Sequence, residues 1–237
     1  MTVRLMLTCL CDAFYGDVGI STVRVLEHAG CTVQFNPEQT CCGQPPFNAG
    51  DWETARTVAK HWQSVFTGDQ VVVTPSGSCA AMVEHGYSLL YKDFQRPKTY
   101  ELSAFLINVL GISKWPLSGN KVATKRKIAL HRSCHGRMTG ATNEQESLCR
   151  MIKGVELIPF GQDEQCCGFG GAFSATHGKI SEGIGLTKLQ SILDSGAREI
   201  VSADMGCLMH LQGLIERHEL HLKTSHVAQL LAGAIEE

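Results

Sequence analysis

Gln39–Pro46, QTCCGQPP, and Gln165–Ala172, QCCGFGGA, each set two adjacent cysteines before a glycine. Working outward, Cys9 lies 32 residues before Cys41, and Cys134 lies 32 residues before Cys166. Downstream, Cys79 follows Cys42 by 37 residues and Cys207 follows Cys167 by 40. Eight of the eleven cysteines fall on this duplicated grid. The chain therefore reads as two copies of one cysteine-bearing unit, each a candidate metal-cluster site.

Apolar and helical periodicity around the grid alternates strand with helix. Val3–Thr8, Cys31–Asn36 and Val71–Thr74 read as strands in the first copy, and Ile128–His131, Val155–Phe160 and Ile200–Ala203 in the second. Between them lie helical patterns. One is placed to be capped by Asp17 and closed by Gly30, a second is capped by Asp51, and a third runs from Cys79 to about Leu90; a helix near Leu102–Leu110 completes the first copy. The second copy has helices near Asn143–Lys153, Ile180–Leu193, after Asp204, and near Ser225–Ile235. The expected class is α/β, with two pseudo-equivalent Rossmann-like units over 1–117 and 128–237. Each unit carries a small, mostly parallel sheet flanked by helices. Leu117–Lys127, LSGNKVATKRK, is polar and basic, and 118–127 reads as a solvated linker. The cysteines fall just after predicted strands, and in such folds ligands bind at the carboxyl ends of parallel strands. Loops far apart in sequence can thus converge, and the duplication predicts one pocket per half.

Bulk properties narrow the function classes. A chain of 237 residues with 43% apolar and 19% charged side chains has the composition of an ordinary globular protein. The net charge of −2 gives no reason to expect nucleic acid or anionic lipid as a partner. MTVRLMLTC is not a signal peptide, and the longest uncharged apolar run, Ala104–Ile112, is far short of the roughly 20 residues that span a bilayer. A cytoplasmic location is expected. In that reducing setting, eleven cysteines point to metal or redox chemistry rather than disulfides.

Two neighbouring thiolates repel unless a cation neutralises them. Structural zinc usually takes short CxxC spacings, and this chain has none, since Cys9-Leu10-Cys11 is CxC. Consecutive side chains tend to point apart, so a cluster with several irons accepts both members of a CC pair more easily than a single ion does. The glycine after each pair lets backbone N–H groups approach inorganic sulfide. Iron–sulfur is the preferred reading, with zinc and metal-free thiols as the alternatives.

CCGQPPFNAG, PSGSC, CCGFGGAFS and the upstream LTC and RSC resemble the CCG-domain (cysteine-rich domain) family. That family includes the CCG-bearing component of heterodisulfide reductase and the iron–sulfur components of glycolate oxidase and anaerobic glycerol-3-phosphate dehydrogenase. Chain length and the TCxxD start (Thr8, Cys9, Asp12) are most similar to its stand-alone lactate-utilisation (LutA/YkgE) group. The resemblance implies one ligand set of Cys9, Cys41, Cys42 and Cys79 and another of Cys134, Cys166, Cys167 and Cys207. It also implies an iron–sulfur electron-transfer subunit, part of an oxidoreductase system that takes L-lactate to pyruvate with companion iron–sulfur and accessory lactate-utilisation proteins. The fuller heterodisulfide-reductase pattern ends in CxxC, where this chain has Ser76 and Asp204 in place of the first cysteine. Four cysteines per site suit [4Fe–4S] better than the special cluster of the heterodisulfide enzyme, and variants stay open. Thiol–disulfide reduction of the heterodisulfide type and a zinc-stabilised scaffold are the competing functions.

Ser76 reads as a turn residue and Asp204 as the N-cap of the following helix, each with oxygen ligation as the alternative. Cys11 reads as incidental, with cluster ligation as the alternative, and Cys31 and Cys149 as small buried hydrophobes. His131 and His135 flank Cys134 and read as packing or surface residues, the alternative being hydrogen bonding to a cluster or zinc binding. Arg132 and Arg137 read as surface groups, the alternative being attraction of a carboxylate substrate or an acidic partner. His177, His210 and His226 carry no motif, and GFGG (Gly168–Gly171) lacks the spacing of a nucleotide loop.

Overall fold

In the computed structural model, residues 1–117, 125–139, 142–161 and 164–235 are described. Most of the expected linker, 118–124, lies outside them, and residues 126–127 already belong to a strand.

Two four-stranded, wholly parallel sheets form the framework. The first contains β1 (Thr2–Leu5), β2 (Thr32–Phe35), β3 (Val72–Thr74) and β4 (Thr99–Glu101) in the order β2-β1-β3-β4. The second contains β5 (Arg126–Leu130), β6 (Val155–Leu157), β7 (Glu199–Ser202) and β8 (Lys223–His226) in the order β6-β5-β7-β8. The same order and direction in both halves make the duplication structural as well as sequential. The central strands β3 and β7 are buried along their whole length, as sheets covered by helices on both faces require. The chain is thus α/β with two Rossmann-like units.

The fourth strand of each sheet was not expected. TYE and KTSH are short and partly polar, and each pairs on one side only, with β3 and β7 respectively. Neither therefore needs the apolar signature that marks an interior strand. The chain at Ser225–His226 continues β8 before the terminal helix begins. Strands expected to reach Thr8 and Phe160 end at Leu5 and Leu157.

The first-half helices are α1 (Cys9–Phe14), α2 (Gly16–His28), α3 (Gln44–Asn48), α4 (Trp52–Val65), α5 (Gly77–Ala81), α6 (Tyr87–Leu90) and α7 (Leu102–Ala104). A π turn at Met82–Gly86 joins α5 to α6, and another follows α7 at Phe105–Val109. The second-half helices are α8 (Cys134–Met138), α9 (Thr142–Met151), α10 (Ala172–Thr176), α11 (Gly178–Asp194), α12 (Met205–Arg217) and α13 (Val227–Ile235). Asp51 caps α4 by accepting from the Thr54 N–H at 3.1 Å. Asp17 does not cap α2; it sits in the first turn and accepts from the Gln229 amide of α13.

The halves share one core. Val25 and Leu26 of α2, Leu102 of α7, Phe105 and Leu106 pack in one cluster with Ile128, Val201, Leu230 and Leu231. Trp115 lies in the same cluster and donates its indole N–H to the Leu231 carbonyl of α13 at 3.0 Å. Helix α13, though last in sequence, packs on α2 of the first half and on α9 of the second. No helix among the described residues is long and apolar enough to cross a membrane.

Candidate metal centre

All the grid cysteines leave the carboxyl ends of three adjacent strands in each sheet. After β1, Thr8 caps α1: its hydroxyl accepts from the Cys11 N–H at 3.2 Å, which fixes Cys9 in the first helical position. After β5, Ser133 repeats this for α8 by accepting from Gly136 N at 3.1 Å, which fixes Cys134. The Ser or Thr immediately before each upstream cysteine is the sequence mark of these two short helices. After β3, the Ser76 hydroxyl accepts from Cys79 N at 3.1 Å and caps α5.

The CCG loops follow β2 and β6. Gly43 and Gly168 hold φ of +81° and +94°, the left-handed region that glycine adopts without strain. At Gly168 a β-carbon would stand 2.4 Å from the Ser181 carbonyl oxygen, so only glycine fits. The tight turn aims backbone donors at sulfur. Gly43 N–H faces Cys41 Sγ at 3.4 Å, Gly168 N–H faces Cys166 Sγ at 3.3 Å, and Phe169 N–H faces Cys167 Sγ at 3.5 Å.

The structure brings all eight grid cysteines to the wall of a single cleft between the two halves. Separate pockets were expected, but the two strand-end faces look toward each other. Within the cleft each quartet forms a chain of thiol hydrogen bonds. One runs Cys9–Cys41–Cys42–Cys79 and the other Cys134–Cys166–Cys167–Cys207. Cys167 Sγ and Cys207 Sγ are 3.0 Å apart. Burial is similar in both: Cys9 and Cys134 are exposed and Cys42, Cys79, Cys167 and Cys207 are buried, while Cys41 is half-buried and its counterpart Cys166 exposed.

This geometry drives the thiols apart in acidity. Hydrogen bonds from Cys42 and Cys9 hold the Cys41 thiol far below its ordinary range, and those from Cys134 and Cys167 do the same for Cys166. Their partners are pushed up: Cys9 by its bond to Cys41, Cys134 by its bond to Cys166, and each with burial adding to the effect. A thiolate is the form that binds metal. The cleft encloses about 180 Å³, whereas a water needs roughly 10–15 Å³ by the same kind of measure. Eight sulfurs, inward backbone N–H groups and that volume fit extended inorganic clusters better than one small ion.

Asp204 departs from its expected role. It stands at the N-cap position of α12 but makes no cap hydrogen bond. Its carboxylate crosses to the other half, where Oδ2 accepts from Ser78 N and Oδ1 from the Ser78 hydroxyl, both at 2.9 Å. Burial pushes its pKa up. Close by, Gly77 N donates to the Ala203 carbonyl at 3.3 Å, and a β-carbon on Gly77 would lie 2.8 Å from Gly136 Cα. The backbones of the two halves thus touch at the floor of the cleft.

Cys11, Cys31 and Cys149 are buried and lie outside the cleft lining. His135 lines the cleft, with Nδ1 3.5 Å from Cys134 Sγ. His131 is fully buried rather than at the surface, and neither ring nitrogen has a hydrogen-bond partner. Arg132 pairs with Glu146, and Arg137 donates to the Glu164 carbonyl. Lys188 of α11 was not anticipated. It is fully buried, donates to the Gln165 carbonyl beside the second CCG at 2.8 Å, and lies 4.9 Å over the Phe160 ring. Its only signal in sequence is a lysine on the face that also carries Gly185, Leu189 and Ile192.

Comparison with known proteins matches this pattern. The lactate utilization protein A of Halalkalibacterium halodurans is 42% identical over 241 residues, covering 98% of this chain and 96% of that protein. That of Shouchella clausii is 42% identical, with 98% of each chain covered. A crystal structure of a hypothetical protein from Helicobacter pylori shares the fold, with a TM-score of 0.70 at 11% identity; it matches all of this chain, which spans 49% of that protein. The cysteine-rich domain model, CCG, matches residues 3–84 and 128–212. Each match takes in one quartet, so the repeat first visible in the cysteine spacing is the family's own unit, and the chain belongs to the cysteine-rich (CCG) domain family.

Proposed function

We propose that the protein is an iron–sulfur electron-transfer subunit of a system that oxidises L-lactate to pyruvate. Units 1–117 and 128–237 each hold one cluster, [4Fe–4S] or a variant. Cys9, Cys41, Cys42 and Cys79 are the ligands in the first, and Cys134, Cys166, Cys167 and Cys207 in the second. The observation that carries this reading is the meeting of both quartets in one cleft. The lactate role is supported by relatives that bear the name lactate utilization protein A over nearly the whole chain.

Bound there, an iron–sulfur cluster supplies one-electron oxidation and reduction. The chain contributes the rest. Paired cysteines give thiolates that are preorganised by hydrogen bonds. N–H groups of Gly43, Gly168 and Phe169 offset negative charge at sulfur. Buried Cys42, Cys79, Cys167 and Cys207 hold the floor of each site away from water, while exposed Cys9 and Cys134 mark the side open to exchange with a partner. The hydroxyl of Ser76 and the carboxylate of Asp204 are engaged in protein hydrogen bonds, so neither oxygen group is counted among the proposed ligands. Electrons pass to companion iron–sulfur and accessory proteins of the same system.

Anaerobic purification followed by iron, sulfide and zinc analysis tests the assignment. Iron and acid-labile sulfide in about equal amounts are expected, with reduction by L-lactate only when the companion proteins are added. Stoichiometric zinc without sulfide would overturn it.

A further inference from the structure

The two halves differ at one position that the duplicated cysteines do not reveal. Three residues before Cys134, His131 is fully buried, and neither Nδ1 nor Nε2 has a hydrogen-bond partner. Leaving a buried polar group without a partner is costly, so an orphaned imidazole needs an explanation. The ring is not adrift. Its backbone N–H bonds the Val201 carbonyl of β7 at 2.8 Å, which extends the sheet and fixes the side chain's direction. A ring nitrogen, Cys167 Sγ and Cys207 Sγ all lie within 4.8 Å of one another. The three atoms are grouped closely enough to be candidate donors to one metal group.

The corresponding residue of the first half, three before Cys9, is Met6. It is buried as well, but its sulfur is already engaged as acceptor of the Trp62 indole N–H at 3.1 Å. No orphaned nitrogen faces the first quartet from that position.

We infer that His131 supplies an imidazole nitrogen ligand to the metal group of the second quartet, so the two sites carry different donor sets. The first is held by thiolates alone and the second by thiolates and one imidazole. This rests on the iron–sulfur reading above. A neutral imidazole adds a nitrogen donor without adding negative charge, so the two sites are expected to differ in reduction potential.

The test is pulsed electron paramagnetic resonance on full-length protein, purified anaerobically, labelled with ¹⁵N-histidine and poised in oxidised and reduced states. Iron and sulfide are measured on the same sample. The expected result is a histidine-nitrogen coupling that His131→Leu abolishes and His135→Ala retains; His135 is the rival, through its Nδ1 beside Cys134. If His131→Leu loses iron from the second site, His131→Cys is expected to restore the iron without the coupling; failure to restore it would mark His131 as a packing residue and overturn the inference. Iron and sulfide present with no histidine coupling in any state, or a coupling that survives His131→Leu, would overturn the inference while leaving the iron–sulfur reading intact. A sample with neither iron nor sulfide would overturn both.

Discussion

Asp204 and Ser78 join the two halves of the chain: the carboxylate accepts both the backbone N–H and the hydroxyl of Ser78, each at 2.9 Å, on the floor of the cysteine cleft. They are 126 residues apart in sequence, so this contact measures how firmly the repeats are closed on each other.

Asp204→Ala removes the acceptor of both half-buried Ser78 donors, of which the hydroxyl keeps Ser76 Oγ as a neighbour at 3.1 Å and the N–H is left unpaired. A loss of about 2 kcal/mol is expected in the metal-free protein. Asp204→Asn keeps an acceptor and loses less. Thermal or urea unfolding checks both. A loss for Asp204→Ala no larger than for Asp204→Asn would mean that the carboxylate does not help to close the cleft.

Cys79→Ala and Cys207→Ala act on equivalent positions of different quartets. Each is expected to lower bound iron and sulfide to about half while the other site stays loaded, because the quartets share a cleft but no ligand. Metal analysis of the three proteins, prepared side by side, is sufficient. Complete loss in either variant would show that the sites load as one.

Glu101 gives a pH dependence independent of metal. It is fully buried at the start of α7, where it accepts from the N–H groups of Ser103 and Ala104. Burial is the largest influence and raises its pKa from 4.5 to about 7. The folded state therefore holds this proton more tightly than the unfolded chain does. Its contribution is complete below the unfolded value and disappears as pH rises through 7, a change of about 3 kcal/mol. Glu101→Gln, which keeps an acceptor but cannot ionise, is expected to flatten the stability profile between about pH 5 and 8. Denaturant titrations of both proteins across that interval decide it.

Leu231 of α13 is fully buried in the core shared by both halves. Leu231→Ala is expected to cost about 3 kcal/mol, within the usual range for such a cavity. Since its neighbours come from both repeats, calorimetry should show one transition moving downward as a whole. Two resolved transitions would mean that the halves melt separately.

Much of this was readable from the chain alone. Identical gaps of 32 residues can be seen in a linear sequence, and β-prone runs ending shortly before cysteines imply that the loops meet at strand ends. The fourth strand of each sheet is not readable there. Lys223–His226 has no apolar residue, and only its pairing with β7 makes it a strand. Asp204 reads as a helix cap because its position before Met205 fits one; the competing donors of Ser78 come from the other repeat and have no local trace. His131 shows the same limit: a histidine three residues before a cysteine reads as ordinary until the sheet turns it inward. One cleft in place of two pockets likewise depends on how the repeats face each other, and no pattern within either repeat encodes that.

Helix α13 has a consequence for the order of events during synthesis. The apolar stripe of α2, with Val25 and Leu26 fully buried, has α13 for its cover, a segment synthesised only after the strands of both sheets. Until then the nascent first repeat carries an open greasy face, a known aggregation hazard. Production of the amino-terminal repeat alone should therefore give sticky, poorly folded material, whereas adding the 227–235 peptide, or fusing it in circularly permuted order, should restore solubility.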